Sequence, residues 1–236
     1  MNIAKLGTLV VKCSLVLAAV MGLATSVGGA KADTIDIGWS SSLAGLVTPL
    51  ATGTGSASFN GAIAGTNFDT NNISGTGSPP LGLPALLNSN SFNLTSTAAG
   101  TIFIWITESN ILAPLNGTLP FVSTLTSNTL TGQGTSLTLQ TFFDAANGVF
   151  ADVTSLGAAQ TFTAVGTAIN QANIVVGNNP YSITAVYEVT TTGNGSANAT
   201  INVAVPGPIV GAGLPGLLAA CGGLIALARR RRRQAA

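Results

Sequence analysis

Apolar and polar residues alternate in short runs through the middle of this chain, and a period of two predicts β-strands. Segment 101–107 (TIFIWIT) reads most clearly as a strand, because its β-branched and aromatic residues suit a pleated surface. Segments 34–39, 136–143, 160–165, 181–191 and 197–205 follow the same pattern, and 56–64, 91–96 and 121–127 follow it more weakly. Gly, Asn and Pro punctuate these runs. Asn147-Gly148, 177–180 (GNNP) and 193–195 (GNG) predict turns, and 75–84 (GTGSPPLGLP) predicts a loop. Many short strands separated by such turns predict an all-β domain over residues 33–205. The expected architecture is an antiparallel β-sandwich of jelly-roll type. The last two runs, joined at 193–195, are expected to pair as a hairpin. No internal repeat is visible, so a solenoid is not expected.

Two segments break the pattern. Near the N-terminus, Lys5 and Lys12 precede an apolar stretch over 13–27, which ends at Ala30-Lys31-Ala32. A positive region, an apolar core and an Ala-x-Ala site together predict a secretory signal helix over residues 1–32. Ala30 and Ala32 supply the small side chains that signal peptidase accepts, and Asp33 becomes the new N-terminus. At the other end, Pro206-Gly207-Pro208 precedes an apolar segment, 209–228. As a helix, its 20 residues span about 30 Å, enough to cross a bilayer core. Arg229, Arg230, Arg231, Arg232 and Arg233 follow at once and are expected to stay on the cytoplasmic side.

This ending resembles the PEP-CTERM sorting signal of Gram-negative bacteria, which joins a short Pro-Glu-Pro-like motif, one transmembrane helix and a basic cluster. The matching residues are Pro206, Pro208, the apolar segment 209–228 and the five arginines. Gly207 stands where that family carries Glu, and the Val-Pro-Gly-Pro sequence resembles a variant of the motif. The resemblance covers residues 206–236. It implies an exosortase-type protease as a partner, cutting near Pro206, Gly207 and Pro208. It also implies a precursor held in the inner membrane and facing the periplasm, then delivered to the cell surface or beyond.

Charge sharpens the division. All eight Lys and Arg residues lie outside 33–205, and all seven Asp and Glu residues lie inside it. The central segment therefore has a formal charge of −7 with no Lys, Arg or His. With no cation to neutralise phosphates, nucleic-acid binding is not expected. Cys13 and Cys221 also fall outside the segment, which leaves it without thiol or disulfide chemistry.

The missing residue types close most catalytic routes: no Ser-His-Asp triad, no Schiff-base lysine and no His-ligated zinc can be assembled in 33–205. Carboxylates remain. Glu108 and Glu188 would support glycoside hydrolysis only if each flanked a cleft opposite another carboxylate. Asp69, in 67–72 (NFDTNN), and Asp144, in 143–148 (FDAANG), are weak calcium candidates, since calcium takes oxygen ligands. Both stretches are also ordinary turn sequences, and that reading is preferred.

The expected function is a non-enzymatic structural protein of the cell surface or exopolysaccharide matrix, sorted through its tail and needing no cofactor. A carbohydrate-binding β-sandwich, with or without calcium, is the alternative, and a carboxylate glycosidase a remote third.

Overall fold

The structure is a computed structural model and describes residues 33–78, 81, 85–132 and 134–206. The expected signal segment with Ala30 and Ala32, the apolar segment 209–228, Gly207, Pro208 and the five arginines lie outside the described residues. Pro206 is described and is exposed, two residues beyond the last strand.

Among the described residues there are thirteen strands and no helix. They are β1 (Thr34–Ser40), β2 (Thr48–Thr54), β3 (Ser56–Ala62), β4 (Phe68–Thr76), β5 (Ala85–Ser96), β6 (Gly100–Ile111) and β7 (Gly117–Gly132). Then come β8 (Ser136–Asp144), β9 (Thr154–Ser155), β10 (Gln160–Phe162), β11 (Gly166–Val176), β12 (Tyr181–Thr191) and β13 (Gly195–Ala204). They form two antiparallel sheets packed as a jelly-roll-like sandwich. The first sheet runs β10-β8-β12-β6-β1-β2, with β9 beside β8, and the second runs β11-β7-β13-β5-β4-β3.

Alternation decides which face each residue takes. In β6, Ile102, Ile104 and Ile106 point into the core, and in β12 so do Ile183, Ala185, Tyr187 and Val189. From the second sheet come Phe92 and Leu94 of β5, Phe121 and Leu125 of β7, and Ile201 and Val203 of β13. Tyr187 and Phe92 stack across the sandwich, centroids 4.3 Å apart and planes 6° from parallel. Ser123 of β7 and Thr141 of β8 join the sheets by a buried hydroxyl–hydroxyl bond of 2.7 Å.

A second, smaller apolar cluster lies on the outer face of the first sheet: Phe103, Trp105, Phe142 and Val186. The loops after β1 and β8 cover it with Val47 and Phe150. The Trp105 indole N–H donates to Ser40 Oγ at 2.9 Å, so the buried ring keeps its hydrogen bond. The Asn110 amide donates to Asn147 Oδ1 at 2.7 Å, and Asn147 Nδ2 donates to Asn110 Oδ1 at 3.2 Å. Both asparagines have positive φ, which suits them to this tight clasp.

The structure corrects three expectations. The runs 181–191 and 197–205 form strands but not a hairpin: β12 lies between β8 and β6, while β13 lies between β7 and β5 in the other sheet. Each has apolar residues for one inner face, and each already has two neighbours, so the 193–195 turn crosses between sheets. Of the weaker runs, 91–96 and 121–127 extend well beyond their expected limits, as β5 and β7, whereas β3 ends at Ala62, short of 64, and β2 and β11 fall where no strand was expected. The turn expected at 67–72 is mostly strand β4, whose Ile73 and Phe68 are buried.

Candidate functional site

Two features of the sandwich stand out chemically. One is a buried carboxyl pair at a corner. The other is the broad outer face of the second sheet.

Glu108 is in phase with Ile102, Ile104 and Ile106, so its strand turns it into the interior. Asp33 is in phase with Ile35 and Ile37 and turns inward likewise. Glu108 is 0% exposed and Asp33 only 4%. The Ser78 amide donates to Glu108 Oε1 at 2.7 Å. Glu108 Oε2 meets no donor among the described groups while both acids are ionised. Once one carboxyl is protonated, the pair can share that proton. Burial is the main cause that pushes Glu108 up to about 9, with the Asp33 charge adding to it. Burial pushes Asp33 up to about 6, partly offset by its hydrogen bond with Glu108. Burial also raises the Tyr181 phenol, with Glu108 and Asp33 adding to the rise, and the Tyr181 hydroxyl has no hydrogen-bond partner among the described residues. The corner is tight. A Cβ on Gly77 would lie 2.6 Å from Glu108 Cδ and 2.9 Å from Ile35 Cδ1. The Gly55 amide donates to the Asp33 carbonyl at 2.7 Å, and the Gly77 amide to the Gly55 carbonyl at 2.9 Å.

Glu108 is therefore an interior residue, and the sequence did hold the signal: its place in the isoleucine alternation. Glu188 lies on the opposite face of the same sheet, in phase with Val186. Glu108 and Glu188 do not face one another across a cleft, and the acid that Glu108 does meet is sealed with it from solvent.

The calcium candidates are separated. Both Asp144 oxygens accept backbone amides, Oδ1 from Ala146 at 2.9 Å and Oδ2 from Gly148 at 2.8 Å. That is how an aspartate closes its own turn. Asp69 is exposed on β4, opposite Thr95. Among the described residues, no group of three or more His, Cys, Asp or Glu side chains is placed to hold a metal.

The outer face of the second sheet is built from the other half of the alternation. One row of register partners crosses all six strands: Ile169, Thr124, Asn202, Asn88, Thr76 and Ser56. A second row holds Thr129, Asn198, Asn93 and Asn72. Asn128 Nδ2 donates to Asn198 Oδ1 and to Thr200 Oγ1, each at 2.9 Å. Thr126 and Thr167 share a hydroxyl bond of 3.2 Å. Asp69 is the one charged side chain on this face among the described residues. Sequence reading identified β3, β5, β7 and β13 of this sheet but neither β4 nor β11, and not the face itself, which arises only when the strands are put in order.

No protein-family model matches the chain, and no curated protein matches it. Solved structures do resemble it. One is the C-terminal family 6 carbohydrate-binding module of a marine laminarinase from Zobellia galactanivorans. The match has 11% identity over 62% of this chain and 98% of that one, with a TM-score of 0.27. Another is a family 22 xylan-binding domain from Paenibacillus barcinonensis, 11% identical over 64% of this chain and 86% of that one, with a TM-score of 0.31. A third is the enzymatically active domain of a tailspike protein from bacteriophage CBA120. It is 16% identical over 62% of this chain and 21% of that one, with a TM-score of 0.32.

Proposed function

We propose that this is an exported, non-catalytic surface module that adheres to neutral polysaccharide through the outer face of its second sheet. The observation behind the reading is that six-strand row, Ile169, Thr124, Asn202, Asn88, Thr76 and Ser56. Strands stand about 4.8 Å apart, so the row extends about 24 Å, the scale of a short oligosaccharide. Amide and hydroxyl side chains donate and accept without charge, as sugar hydroxyls do. Among the described residues the face has no aromatic platform, so each contact is weak and adhesion depends on many of them along a polymer. A segment with a formal charge of −7 and no cation repels anionic polymers and favours neutral ones. The sorting reading of residues 206–236 fits this role: an exosortase-type protease would release the module from the inner membrane to the surface or the exopolysaccharide layer.

Affinity electrophoresis of the full chain through gels containing xylan, laminarin or alginate tests the reading. Retardation by a neutral polymer, undiminished at high salt, is the expected result. Asn202→Lys should weaken it while leaving the melting temperature within a few degrees. Unchanged mobility in both neutral gels, or retardation by alginate alone, contradicts the proposal.

A further inference from the structure

We propose that removal of the signal segment after Ala32 completes the buried corner: the α-ammonium group released on Asp33 docks beside Glu108 and neutralises the carboxyl pair. The proposal rests on the secretory reading of residues 1–32 and is independent of polysaccharide binding.

Three observations converge on it. Glu108 is fully buried, its Oε2 has no donor from ionised neighbours, and its one facing acid is Asp33. The Tyr181 hydroxyl, 1% exposed and close enough to feel both acids, also has no partner among the described residues. Residues 33–205 contain no Lys, Arg or His that could answer this negative charge. Burying an acid pair without a counter-charge is costly, and sequences that do so retain a partner for it.

Within residues 33–205 the one source of a cation is a terminus created by processing. Asp33 is the first residue after Ala30-Lys31-Ala32, so cleavage there turns its amide nitrogen into an ammonium group. Covalent geometry holds that nitrogen within about 4 Å of its own carboxylate. Three N–H donors then become available where one amide N–H stood. Glu108 can ionise beside them, and its titration, raised by burial while Ala32 is attached, falls back toward the ordinary carboxylate range. The Asp33 carbonyl is already held by the Gly55 amide at 2.7 Å, which fixes the new terminus at the corner. Processing and folding are thereby coupled: the domain is less stable before cleavage than after it.

The chemistry offers a selective probe. All three lysines, Lys5, Lys12 and Lys31, precede Asp33, so the processed chain carries a single amine. The exported protein is purified, and its intact mass fixes the N-terminus. It is then acetylated with an N-hydroxysuccinimide ester, folded and in urea. A start at Asp33 is expected, with acetylation of the folded chain at least about tenfold slower than in urea. Glu108→Gln should speed acetylation of the folded chain. Acetylated protein should melt below unacetylated protein, and Glu108→Gln should shrink that difference. The pH profile of the acetylation rate gives a readout independent of any variant: its midpoint should lie above the ordinary α-amine range of about 7.7–8.0. A start elsewhere overturns the processing reading and the inference with it. A start at Asp33 with an amine equally reactive folded and unfolded overturns the docked ammonium alone.

Discussion

The carboxyl groups of Asp33 and Glu108 meet inside the sandwich, at the corner where the first strand enters the core, and the Ser78 amide donates to Glu108 there. Two acids reach this place because both sit in the apolar phase of their strands, where isoleucines precede or follow them.

Stability should fall as pH rises in a chain that still carries residues before Asp33. Both acids titrate higher in the folded state than unfolded, Asp33 at about 6 and Glu108 at about 9. Such groups stabilise fully below their unfolded values, and the contribution is lost as pH passes the folded ones. The melting temperature of an uncleavable precursor should therefore be lower at pH 9 than at pH 5, by roughly 5 °C or more. Glu108→Gln should flatten that dependence. A curve that instead drops toward low pH contradicts the buried pair.

Gly77→Ala should destabilise the fold by about 2 kcal/mol. The added methyl would meet Glu108 Cδ at 2.6 Å and Ile35 Cδ1 at 2.9 Å, in a place where neither can retreat far. Urea unfolding measures the loss. The same substitution at Gly193, where a Cβ would meet nothing within 4 Å, should have a much smaller effect.

The cross-sheet bond between Ser123 and Thr141 makes a double-mutant prediction. Ser123→Ala or Thr141→Val alone leaves a buried hydroxyl without its partner and should cost about 1–3 kcal/mol. Both together remove two polar groups and should cost less than the sum of the two. Chemical denaturation of the four proteins gives the coupling directly.

On the outer face of the first sheet, Ser40→Ala should cost about 1–3 kcal/mol, because the buried Trp105 indole N–H loses its acceptor. Asn147→Ala should loosen the loop that carries Phe150 over the same ring, since it removes both halves of the clasp with Asn110. Acrylamide quenching of tryptophan fluorescence should increase in the Asn147 variant. Equal quenching in both proteins contradicts a loop that seals Trp105.

Alternation carried most of the architecture. The isoleucine ladder of 101–107 became the centre of the first sheet, with the strand of 181–191 beside it and that of 136–143 next beyond. The same alternation places Glu108 inside, but a charged residue outranks its phase when a sequence is read by composition. Strand β11 escaped notice because its inner positions include Ala168, Asn170 and Ala172, which give little apolar contrast with Thr167 and Gln171. The Gly193-Asn194-Gly195 turn marks a chain reversal equally well within one sheet or between two. Neighbour identity is a long-range property, so the absence of a β12–β13 hairpin was not legible locally. The outer polar face shares that origin, since its rows join residues up to 146 positions apart in the chain, from Ser56 to Asn202.

Amide chemical-shift mapping with neutral oligosaccharides tests the central claim most directly. Xylohexaose and laminarihexaose are titrated into the isotopically labelled protein and the shifted amides are placed on the two sheets. The account predicts shifts along the row through Thr124, Asn202 and Asn88, with little change around Trp105. Saturating sugar that moves no amide of the second sheet, or moves only those of the loops over Trp105, would contradict it.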